Sequence, residues 1–81
     1  MSMALLDELV GITEEYLGPA AHRFIDRQII FHLDKEPSEI LPEDIPRLAV
    51  WMRVTVALLT EDRSLVEDFT QRVLELGEDD R

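Results

Sequence analysis

The chain has no cysteine, so neither a disulfide framework nor a zinc–thiolate site can staple its fold. Glycine is scarce and isolated, at Gly11, Gly18 and Gly77, which excludes a glycine-rich phosphate loop. Ser2, Ser38 and Ser64 stand outside any G-x-S-x-G context, and there is no thiol to activate, so nucleophile constellations are weak. Long apolar runs are missing too. The longest, Leu48 to Leu59, is 12 residues with Arg53 inside it, against the roughly 20 that span a bilayer. Met1 to Leu6 run directly into Asp7 and Glu8, without the basic and apolar regions of an export signal, so the expected compartment is the cytoplasm. Positive charge is the last shortage. Eight Lys and Arg face 18 Asp and Glu, a formal net charge of −10. Such a chain repels phosphate backbones and anionic surfaces, so neither nucleic acid nor membrane is expected as a partner.

What is present is apolar and helical in pattern. With 46% hydrophobic residues among 81, one small domain is expected over residues 1–77, followed by an acidic tail at 78–81. A chain of this size buries only about 60% of the surface its unfolded form exposes, so stability must come from packed helices, alone or with a second subunit. In the first helix Leu5, Leu6, Leu9, Val10, Ile12, Tyr16 and Leu17 recur at helical spacing, with acids on the remaining face. Gly18 suits a left-handed C-terminal position and Pro19 cannot continue the hydrogen-bond ladder. Pro19 also opens a second helix, to about Leu33, with Ala21, Phe24, Ile25, Ile29 and Leu33 on its apolar face. The run Ile29–Leu33 is broader than one stripe and predicts burial on two sides.

From Asp34 to Pro46 the chain is polar, with prolines at 37, 42 and 46. Ile40, Leu41 and Ile45 look like anchors, and Ser38 to Leu41 reads as a single helical turn. Asp44 is the expected cap of a third helix, Ile45 to Leu59. Its β-branched cluster would also suit a strand, but length and 3–4 spacing favour helix. It is apolar nearly all round: Leu48, Trp51, Met52, Thr55, Leu58 and Leu59 on one face, Val50, Val54 and Ala57 on another. Thr60 is the expected cap of a fourth helix, lined by Leu65, Val66, Phe69, Val73, Leu74 and Leu76 and closed by Gly77. The predicted fold is all-α, a compact four-helix bundle-like orthogonal array with a short Pro-rich connection between helices 2 and 3.

Few residues suggest chemistry. His22 and Asp26 lie one helical turn apart, and His32 is ten residues beyond His22, roughly 80° further round. They are weak metal candidates, better explained as a surface pair and a cation at a helix C-terminus. The carboxylate pairs (Glu14-Glu15, Glu43-Asp44, Glu61-Asp62, Glu67-Asp68, Asp79-Asp80) read as solvated faces and helix starts, since acid catalysis needs two carboxyls in contrasting environments. Neither a catalytic residue nor a cofactor is expected. Arg53 is the one charge in the most apolar run: either its stem packs while the guanidinium reaches solvent, or it pairs with a carboxylate across an interface.

The segments Tyr16-Leu17-Gly18-Pro19-Ala20-Ala21 and Asp44-Ile45-Pro46-Arg47-Leu48-Ala49, joined by an acidic connection, resemble a small helical module appended to bacterial signalling proteins such as kinases and response regulators. There a Leu-Gly-Pro-x-Ala turn precedes a helix, and an apolar helix follows. The resemblance implies a regulatory or oligomerising role and brings no catalytic residues with it. The expected function is therefore a non-enzymatic protein–protein interaction or oligomerisation module, a homo-oligomer or a partner binder. It would act through helix 3 and part of helix 4, at Trp51, Met52, Arg53, Val56 and Phe69. Two alternatives are an acidic decoy of nucleic acid that occupies a basic protein, and a metal-dependent enzyme using His22, Asp26 and His32.

Overall fold

A computed structural model describes residues 3–78. Among the described residues the chain is all-α, with no strand. Helix α1 spans Met3–Leu17, and a 3-10 turn, Gly18–Ala20, leads straight into α2, Ala21–Leu33. The stop comes where the sequence places it. Gly18 has φ +67°, a left-handed conformation that L side chains rarely adopt. Pro19 then occupies the first turn of the 3-10 segment, where its missing N–H costs nothing. Helix α2 ends on Asp34, also left-handed at φ 56°. Aspartate is one of the few non-glycine residues that tolerate this.

The connection from α2 to α3 is more ordered than its polar composition suggests. It contains two 3-10 turns, Pro37–Glu39 and Pro42–Asp44, built by the same device. In each, a proline opens the turn and an acid closes it by accepting the backbone N–H of the residue before the proline. Glu36 N–H donates to Glu39 Oε1 at 3.2 Å, and Leu41 N–H donates to Asp44 Oδ2 at 2.9 Å. Lys35 Nζ adds a bond to the same Asp44 oxygen at 2.6 Å. Burial alone would raise the Asp44 pKa, but the Lys35 ammonium and the Leu41 N–H outweigh it and hold the carboxyl below its ordinary value. Ile40, between the turns, is fully buried and pins the connection to the core.

Helix α3, Ile45–Leu59, and helix α4, Arg63–Glu78, complete the fold. The core is one cluster drawn from every helix: Leu6 and Leu9 of α1, Ile25 and Ile29 of α2, Ile45, Leu48, Ala49, Met52 and Val56 of α3, and Val66, Phe69 and Val73 of α4. Helix α4 packs against both α3 and α1, and α2 against α1 and α3. The buried hydroxyl of Thr13 donates to the Leu9 carbonyl at 2.8 Å, so a polar residue enters the core without an unmet hydrogen bond.

Five expectations are corrected. Leu41 is not an anchor, since it is 42% exposed while Ile40 and Ile45 are buried. The end of α2 is not buried on two sides, because Ile30 and Phe31 project into solvent and Phe31 is 74% exposed. Asp44 does not cap α3: its carboxylate is spent backwards on Leu41 and Lys35, and its own backbone is already helical. Thr60 does not cap α4 directly. Its hydroxyl accepts from Asp62 N–H at 3.1 Å, and Asp62 Oδ1 accepts from Leu65 N–H at 3.2 Å, so Asp62 is the cap and Thr60 orients it. Gly77 does not close α4, which runs to Glu78; the rest of the expected acidic tail, 79–81, lies outside the described residues. Gly77 is small for another reason. A Cβ there would stand 3.0 Å from Ile45 Cβ and 3.1 Å from the Pro42 carbonyl oxygen, so α4 lies directly on the start of α3.

The three glycines therefore predict three outcomes in thermal unfolding followed by circular dichroism. Gly11→Ala meets nothing within 4 Å and should gain about 0.5–1 kcal/mol from helix propensity. Gly77→Ala should lose about 1 kcal/mol net, overpacking against Ile45 outweighing the same propensity gain. Gly18→Ala should lose about 1 kcal/mol from its positive φ. Equal effects at Gly11 and Gly77 would refute the packing of α4 on Ile45.

Candidate interaction surface

The candidate surface follows from the periodicity of α3. Ile45, Leu48, Ala49, Met52 and Val56 point inward and are essentially without exposure. Residues two positions further along a helix lie about 200° round it, so Val50, Val54 and Leu58 form a parallel row on the opposite side. Trp51 borders that row. These four apolar side chains are between 42 and 82% exposed. Isolated exposed apolar residues are ordinary; a contiguous row along one helix is not.

The row is extended at its edge by α2. His32, in the last turn of α2, stacks on Trp51 with ring centroids 4.2 Å apart and planes 5° from parallel. The stack fixes the indole orientation and joins the end of α2 to the middle of α3. One residue before His32 is the exposed Phe31, and one turn before it is Gln28, buried with its Oε1 lacking a hydrogen-bond partner. Leu59, the last residue of α3, is 64% exposed but lies well round the helix from the outward row.

Charge is distributed around this face in a definite way. Helix α3 contains Arg47 and Arg53 and no acid, so the least negative element of a chain of net charge −10 carries the exposed apolar row. Arg53 is turned sideways and pairs with Glu67 of α4. Away from the row, α1 and α4 are clasped by a network. Arg72 holds Glu15 with two hydrogen bonds, at 2.6 and 3.1 Å, and reaches the Tyr16 hydroxyl at 3.3 Å. That hydroxyl donates in turn to Asp68, and the Tyr16 ring meets Phe69 edge-on at 5.1 Å. The bonds from Arg72 keep Glu15 below the ordinary carboxylate range, against what desolvation adds. Burial first, and the bond to Asp68 second, push the Tyr16 phenol up.

The structure separates the residues expected to form the interface. Trp51 is at the surface, beside the exposed row. Met52, Val56 and Phe69 are wholly buried, because they supply the inward row of α3 and the centre of α4, and the folded chain offers them to no partner. Arg53 is exposed but spent on Glu67 within the chain. The face therefore belongs to α3 and the end of α2 rather than to α3 and α4. Val50, Val54, Leu58 and Phe31 were missed as site residues. For the first three the signal was present, as a second apolar row four residues apart on α3. For Phe31 there was none, since an apolar residue at a helix end reads as core.

His22 and Asp26 pair at 3.5 Å on the surface of α2, while His32 is committed to Trp51. Among the described residues no group of three or more His, Asp or Glu is placed to hold a metal ion, so the three metal candidates are not brought together. No helix among them is long and apolar enough to cross a membrane. Compared with known proteins, the chain matches no family model, no curated protein and no solved structure. The likeness to the signalling-protein module therefore rests on its own residues.

The clasp carries a pH signature. Because the folded pKa of Glu15 lies below its unfolded value, its contribution is complete above the ordinary glutamate pKa, about 4.3. It is lost as pH falls through the lowered value. Wild type should therefore melt above Glu15→Gln at neutral pH, and the gap should close below about pH 4. A gap that persists into acid would show that Glu15 acts by packing alone.

Proposed function

We propose that this chain is a compact four-helix, bundle-like interaction module, non-enzymatic, whose working surface is the outward row of α3 with the end of α2. The observation that carries the proposal is the row itself: Val50, Val54 and Leu58, with Trp51 beside them, on a helix whose other side is fully committed to the core. Covering apolar area is worth about 25 cal/mol per Å² before the costs of association. Trp51 is pre-oriented by His32, which lowers the entropy cost of using it as an anchor. Tryptophan anchors of this kind are where binding energy concentrates in protein–protein contacts. A regulatory or oligomerising role, as the resemblance to signalling-protein modules implies, fits such a surface.

Two residues that differ by half a helical turn test the assignment. Val54→Glu should leave stability within about 0.5 kcal/mol, as surface substitutions generally do. Val56→Glu should unfold the chain, since it buries an unpaired carboxylate. Wild-type and Val54→Glu chains, each shown folded by circular dichroism, are then compared for association by sedimentation and by affinity capture. Association with itself or with another protein that Val54→Glu abolishes supports the proposal. Wild type and Val54→Glu behaving alike in both assays overturns it.

A further inference from the structure

We draw no further inference here: the strongest candidate, the outward apolar face of α3 formed by Val50, Val54 and Leu58 with Trp51 at its edge, belongs to the surface already described, and nothing in the structure shows what covers it.

Discussion

The rest of the structure depends on a constraint of phase in α3. Its residues repeat every four positions in two apolar rows, and the rows are half a turn apart. Helices α2 and α4 pack on the side of α3 that carries Leu48, Met52 and Val56, and these join Ile25, Ile29 and Phe69 in the one core cluster. That choice determines everything about the opposite row. Rotating α3 to hide Val54 would expose Met52 and bring Arg47 towards the core, which costs more than it saves. The outward row is therefore a consequence of how the interior closes, and no local rearrangement removes it.

The surrounding parts act to hold α3 at that rotation. Gly77 lets α4 lie against Ile45 at the start of the helix, and Arg53 ties its middle to α4 through Glu67. On the far side, the Glu15–Arg72–Tyr16–Asp68 network braces α1 against α4. Such surface pairs are individually weak. Here they join helix faces that the core already brings together, so they set register more than they supply stability. The two proline-opened turns do similar work in the α2–α3 connection, and they explain how a polar stretch keeps Ile40 buried between them.

Much of the fold was legible in the sequence because it rests on local rules. Gly18-Pro19 marks the end of α1 through a conformation that few other residues adopt, and α3 was bounded at Ile45 and Leu59 by its apolar run and its flanking polar residues. The caps were harder. Asp44 and Thr60 have the right chemistry for helix starts, but each side chain had a competing local bond, and the choice between neighbouring hydrogen-bond partners is not encoded in residue type alone. The surface was half legible. Apolar excess on α3 was plain, but which row faced inward depended on where three other helices lay, so Met52, Val56 and Phe69 were placed on the surface when they are the interior. Phe31 illustrates the remaining limit: a broad apolar run predicts burial only if a neighbour is long enough to cover it.

The stack of Trp51 on His32 has a practical consequence. Trp51 is the only tryptophan in the chain, it is 42% exposed, and it borders the row argued to be covered. Its emission is thus a native optical label at the place where contact is proposed. Any molecule that displaces solvent from this face alters the surroundings of a single fluorophore, so association can be followed on the unmodified chain without attaching a dye.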